Sequence, residues 1–155
     1  MNQKNVLIGV GLLIVLIYAL GSGHYVSQGT SWYNALNKPA WQPPDWLFGV
    51  AWSYNFIVLA VAAVILPGKL TKVHTIIYLS FLAASIAFAL FWSYTFYVPH
   101  ELSLSAIVLA IAAFTNVPAY LIAKGATRSL GYLLLPYQLW LFVATSLAIG
   151  YAIQN

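Results

Sequence analysis

The sequence predicts an all-α integral membrane protein: a five-transmembrane-helix bundle with a Trp/Pro-rich loop between helices 1 and 2. Three observations predict it. Of 155 residues, 63% are hydrophobic and 5% charged, against roughly 25% charged in a soluble domain, and the mean hydropathy is +0.87. The apolar residues fall into five stretches, each near the ~20 residues that cross a hydrocarbon core about 30 Å thick. Short breaks rich in proline, glycine or charge separate the stretches. All lie in one block, so residues 1–155 form a single membrane domain.

The first stretch covers residues 6–27. Lys4, the apolar core 6–20 and the small residues Ala19, Gly21, Ser22 and Gly23 also resemble a cleavable signal peptide. The apolar run continues through Tyr25 and Val26, which favours a retained span. Next comes WYNALNKPAWQPPDWLFGVAW, residues 32–52, holding four of the six tryptophans. A loop so rich in indole and proline is costlier than a connector needs and reads as a lid. The second stretch, 46–66, ends at Pro67-Gly68-Lys69. The third, 73–98, ends at Pro99-His100-Glu101. The fourth, 102–123, is closed by Lys124 to Arg128, and the fifth covers 130–153. Spans of this length without polar alternation are helices, because lipid offers no hydrogen bonds to exposed backbone.

Charge orients the chain. With five spans the termini lie on opposite sides; Lys4, Lys69, Lys72, Lys124 and Arg128 then share one face, and Lys38, Asp45 and Glu101 the other. The positive-inside tendency puts the amino terminus in the cytoplasm and the carboxyl terminus and tryptophan loop outside, if the membrane is a plasma membrane. The net charge of +4 is too dispersed for nucleic acid. Cysteine chemistry is excluded, since the chain has none. No Asp, Glu, Lys or Arg falls mid-span, which disfavours ion-coupled transport.

Intramembrane polarity is limited to Ser53, Asn55, Ser93, Thr115, Asn116 and Gln138, suited to interhelical hydrogen bonds or to a ligand's polar edge. His24 and His100 near the outer span ends raise axial haem ligation as one reading and simple interfacial exposure as the other. No metal site is expected, and no standard catalytic signature is present. The aromatics are organised, however. Phe48, Trp52 and Asn55/Phe56 share a stripe, as do Phe88, Trp92 and Thr95/Phe96, and as do Tyr137, Trp140 and Ala144. An interfacial aromatic belt explains Tyr25, Tyr97 and Tyr151. It explains Trp140, about ten residues into its span, poorly. Aromatic walls converging under a loop would form an apolar pocket with few polar anchors.

The run at 32–52 resembles the signature of the translocator protein family, also called tryptophan-rich sensory proteins and peripheral benzodiazepine receptors. The family pattern WY..L.KP.W.PP.W..G..W is filled at Trp32, Tyr33, Leu36, Lys38, Pro39, Trp41, Pro43, Pro44, Trp46, Gly49 and Trp52. Trp92-Ser93…Phe96-Tyr97 and Pro136-Tyr137…Trp140…Ala144 resemble further family motifs, so the likeness spans the chain. Many members carry asparagine where this chain has Ala89, and their carboxyl-terminal LN…W…N reads Leu147-Ala148…Ala152…Asn155.

The resemblance implies a five-helix receptor or sensor, commonly a homodimer, for porphyrins such as protoporphyrin IX, and in some members sterols and isoquinoline or benzodiazepine drugs. No cofactor is required; porphyrin is the ligand. The aromatic stripes and the resemblance together give the expected ligand-binding set Trp32, Tyr33, Trp41, Pro43, Trp46, Trp52, Asn55, Phe88, Trp92, Tyr137, Trp140 and Ala144. A flat ring would slide between Trp41, Trp46 and Trp52 on one side and Tyr137, Trp140 and Ala144 on the other. Its carboxylates would stay near Lys38. Dimerisation would use Ser80, Ala83, Ala84 and Ala87. Two alternatives accompany this reading: a light-dependent porphyrin-degrading enzyme, with Trp52 and Trp140 as the oxidisable indoles, and a passive tetrapyrrole or lipid carrier.

Overall fold

The computed structural model describes residues 2–155. Among them it has five α-helices and no strand: α1 (Gln3–Ala35), α2 (Asp45–Ile65), α3 (Lys72–Tyr97), α4 (Leu102–Ala126) and α5 (Arg128–Gln154). All five are long and apolar enough to cross a membrane.

Local chemistry sets the helix ends. Asn2, Thr71 and Thr127 accept backbone N–H bonds from Lys4, His74 and Leu130 at 3.1–3.2 Å, closing three helix starts with short polar side chains. Pro44 precedes α2, and Asp45 stands in its first turn, where a negative charge meets the positive end of the helix dipole. A single 3₁₀ turn, Leu66–Gly68, ends the second span at Pro67. After α3, His100 takes the left-handed conformation at φ 62°, and the Glu101 N–H donates to the Thr95 carbonyl at 2.9 Å.

The first helix departs from expectation. It runs 33 residues, to Ala35, about 50 Å at 1.5 Å per residue. Nothing in residues 28–35 stops a helix, and three of the glycines along it, Gly11, Gly21 and Gly29, serve close packing. A Cβ on Gly11 would meet Ala63 Cβ at 2.9 Å, and one on Gly29 would meet the Tyr97 carbonyl oxygen at 2.7 Å. Trp32 and Tyr33 therefore ride on the last turns of α1. The connecting loop shrinks to residues 36–44.

Around the bundle the order is α1–α2–α5–α4–α3, with α3 closing back on α1. Leu59, Ala62, Leu82, Leu109, Ala112 and Leu141 form its dry centre. Polar bonds cross the seams. Ser85 donates to the Ala112 carbonyl at 2.8 Å, Asn116 Nδ2 to Gln138 Oε1 at 2.9 Å, and Gln138 Nε2 to the Ala113 carbonyl at 3.1 Å. Tyr54 donates to the Leu133 carbonyl at 2.8 Å, pinning α2 to α5. The up-down path puts Lys4, Lys69, Lys72, Lys124 and Arg128 at one end of the bundle, and the α1–α2 loop at the other.

Candidate functional site

A cavity of about 400 Å³ lies beneath the α1–α2 loop, within the 300–1,000 Å³ range of small-molecule sites. Four helices wall it. Helix α1 contributes Ala19, Ser22, Gly23, Val26, Thr30, Tyr33 and Asn34, and α2 contributes Asp45, Phe48, Trp52 and Phe56. Helix α3 adds Trp92, Ser93, Phe96 and Tyr97, and α5 adds Trp140, Ala144, Leu147, Ala148 and Tyr151. The walls interlock edge to face. Phe48 meets Trp140 at 5.4 Å and 75° across the α2–α5 seam, and Trp52 stacks on Phe56 at 5.7 Å. Tyr18 closes the floor, perpendicular to both Trp52 and Phe56.

Three polar atoms of lining residues are buried without a hydrogen-bond partner: Trp92 Nε1, Ser93 Oγ and Trp140 Nε1. Each such buried orphan costs about 1–3 kcal/mol, and all three stand on residues that wall the cavity. Ala148 and Leu147 face the same space. Alanine at 148, in place of an amide, leaves that wall apolar, whereas Ala89 is fully buried in the core and does not line the cavity.

The mouth is organised by one side chain. Gln42 Nε2 donates to the Tyr33 hydroxyl at 3.2 Å and to Asp45 Oδ1 at 3.0 Å, while the Tyr151 hydroxyl donates to Gln42 Oε1. Lys38 Nζ bonds Asp45 Oδ2 at 2.7 Å and lies 5.4 Å above the Tyr33 ring. That hydrogen bond and the carboxylate's charge, against a smaller loss of hydration, hold the Lys38 ammonium above its ordinary pKa. The loop is also fastened to the end of α5. Asn155 Oδ1 accepts from the Asn37 N–H at 2.9 Å, and its Nδ2 donates to the Asn37 carbonyl at 3.2 Å. Trp41 Nε1 donates to Ser146 at 3.3 Å.

Of the twelve residues expected in the site, the structure brings Tyr33, Trp52, Trp92, Trp140 and Ala144 to the cavity. The other seven stand elsewhere, for reasons of helical phase and level. Trp46 is 69% exposed, because two residues along α2 from Phe48 is roughly 200° of rotation. Trp32 is one residue out of phase with Tyr33. It stacks on His100 at 3.9 Å and meets Phe96 edge-on. Trp41 fastens the loop to α5, and Pro43 is half-buried in the loop without lining the cavity. Asn55 opens on a groove outside the α2–α5 seam with Leu47, Val50, Tyr54 and Pro136. Tyr137 is buried in the core below the floor, and Phe88 lies 36% exposed on the outside of α3. The expected wall of Trp41 and Trp46 is therefore replaced by Phe48, Trp52 and Phe56.

Residues missed in the sequence include Thr30, Asn34, Asp45 and Tyr151. Extending the α1 stripe beyond residue 27 as Val26, Thr30 and Tyr33, at i, i+4 and i+7, would have found the first. The histidines do not form an axial pair. His24 bonds Gln28 at 2.7 Å, and His100 sits on Trp32, about 12 Å further along α1. Among the described residues no cluster of three or more His, Cys, Asp or Glu could hold a metal.

Sequence comparison agrees with this architecture. Protein CrtK of Rhodobacter capsulatus is 31% identical over 127 residues, covering 81% of this chain and 79% of its own length. The tryptophan-rich sensory protein of Cereibacter sphaeroides is 30% identical, covering 75% of this chain and 72% of its own. Human translocator protein is 27% identical, covering 83% and 77%. The TspO/MBR family model matches residues 10–153, a stretch that contains every residue lining the cavity, and the chain is therefore an integral membrane protein of the TspO/MBR family.

Proposed function

We propose that this protein is a membrane receptor or sensor that takes flat, hydrophobic, porphyrin-like ligands into the cavity beneath its α1–α2 loop. One observation supports the reading above the others: a largely apolar cavity walled by indole and phenyl rings of three helices. A tetrapyrrole presents large aromatic faces to such walls. Each well-placed ring pair adds about 0.5–1.5 kcal/mol beyond area burial. Tyr33, Asp45 and Tyr151 are pre-set by Gln42, so little ordering is left for the bound state to cost.

The basic end of the bundle faces the cytoplasm in this reading, and the loop with its cavity faces outward. A homodimer forms through α3, where Ser80 and Ala87 are exposed small residues that permit close helix approach.

The test is a tryptophan-quenching titration in nanodiscs with protoporphyrin IX, haem and a sterol. Saturable quenching by protoporphyrin, weakened at least about tenfold in Trp140→Ala, supports the proposal. Quenching that rises linearly and is equal in both proteins refutes it. Illumination of the loaded protein separates binding from degradation: turnover lost in Trp52→Phe plus Trp140→Phe, with affinity kept, would make the protein an enzyme.

A further inference from the structure

The cavity has one charged lining residue, and it is an anion. Asp45 faces the mouth, and its two oxygens are held from separate sides, Oδ1 by Gln42 Nε2 at 3.0 Å and Oδ2 by Lys38 Nζ at 2.7 Å. Lys38 does not line the cavity. The pair is neutral as a whole, yet only its negative member lines the cavity, while the Lys38 ammonium stands over the Tyr33 ring at 5.4 Å from its centroid. Each carboxylate oxygen keeps a second lone pair after these bonds, so Asp45 can still accept from a ligand N–H. The other polar lining groups near the mouth, Tyr33, Asn34 and Tyr151, carry no charge.

From this we propose that Asp45 sets the charge preference of the site: among flat ligands of one ring size, the mouth selects an edge bearing a cationic or neutral N–H donor over an edge bearing carboxylates. The inference rests on the receptor reading above and narrows its ligand class. The mechanism is elementary. A ligand carboxylate at the mouth meets a like charge held in place by Gln42 and Lys38, and an ammonium meets an acceptor that is already oriented while still open to solvent. Partial compensation by Lys38 keeps the effect modest, roughly five- to tenfold per charged arm at the effective dielectric of a protein surface.

The experiment compares three derivatives of one porphyrin in zwitterionic nanodiscs: the dicarboxylate, its dimethyl ester, and the diamide with ammonium-ended arms. Wild type is expected to bind the ammonium derivative tightest and the dicarboxylate weakest. Asp45→Asn keeps the acceptor from Gln42, removes the charge, and compresses the series to within about twofold. Lys38→Gln leaves the carboxylate uncompensated and widens it. A loss of loop structure would move both variants in the same direction, so opposite shifts are the signature of charge. A wild-type series headed by the dicarboxylate, or one unchanged in Asp45→Asn, overturns the inference while leaving the receptor reading intact. Failure of all three derivatives to bind wild type removes the receptor reading, and this inference with it.

Discussion

Replacing Gly29 with alanine is expected to destabilise the outer half of the bundle, although alanine is the better helix former. A Cβ at this position would stand 2.7 Å from the Tyr97 carbonyl oxygen, 2.8 Å from Tyr97 Cδ1 and 2.9 Å from its Cβ. Ordinary carbon contacts are about 3.5–4.0 Å, so α1 and α3 must part by several tenths of an ångström. Two of the three neighbours are a carbonyl oxygen and a Cβ, which no rotamer change can move. Overpacking of this kind costs about 1–3 kcal/mol, against a helix-propensity gain of about 1 kcal/mol. The net expectation is a loss of about 1 kcal/mol. Gly9 is the control, because its Cβ would meet nothing within 4 Å; there only the propensity gain remains. Thermal unfolding in nanodiscs reads the difference. For a chain of this length 1 kcal/mol shifts Tm by roughly 2–4 °C, so Gly29→Ala should melt below wild type and Gly9→Ala above it. A Gly29→Ala protein as stable as Gly9→Ala would refute the close α1–α3 approach that lets α1 continue past the bilayer and carry Tyr33 to the cavity.

Other expectations follow from individual contacts. Gln138→Leu breaks the Asn116–Gln138–Ala113 chain and strands a buried amide, lowering stability by about 1–3 kcal/mol, measurable as a fall in Tm. Tyr54→Phe removes the bond to the Leu133 carbonyl and should cost less, near the ~0.6 kcal/mol typical of such bonds in membranes. Trp46→Phe should leave porphyrin affinity unchanged, since Trp46 faces away from the cavity, and Trp52→Phe should weaken it; titration of both variants side by side decides. Asn155→Ala removes two of the ties between the loop and α5 and leaves those of Trp41 and Gln42, and ligand dissociation measured by stopped-flow quenching should accelerate with little change in Tm.

Much of the fold was legible because the bilayer leaves few options. Lipid cannot satisfy backbone polar groups, so apolar runs of about 20 residues become helices, and the breaks at Pro67-Gly68-Lys69, Pro99-His100-Glu101 and Lys124 to Arg128 mark their ends in plain text. The end of α1 was less legible. Residues 28–35 are polar enough to look like loop, yet they remain helical because Gly29 packs onto Tyr97 and Trp32 onto Phe96 and His100, contacts with partners more than sixty residues away. The site was legible as a set of aromatic stripes but not as a choice among them. Phe48 and Trp46 differ by two positions and lie on nearly opposite faces of α2, and only the packing of α2 against α5 decides which face turns inward.

By itself the sequence determined the solvent, the number of spans, the family and the sidedness of the cations, because these depend on composition and local spacing. The ring order of the helices, the orphan donors at Trp92, Ser93 and Trp140, and the placing of Asp45 rather than Lys38 against the cavity were decided by tertiary structure. Each of those depends on the rotational phase of one helix against another. That phase is fixed by close approaches such as Gly11 on Ala63, which are energies between distant parts of the chain and have no local signal.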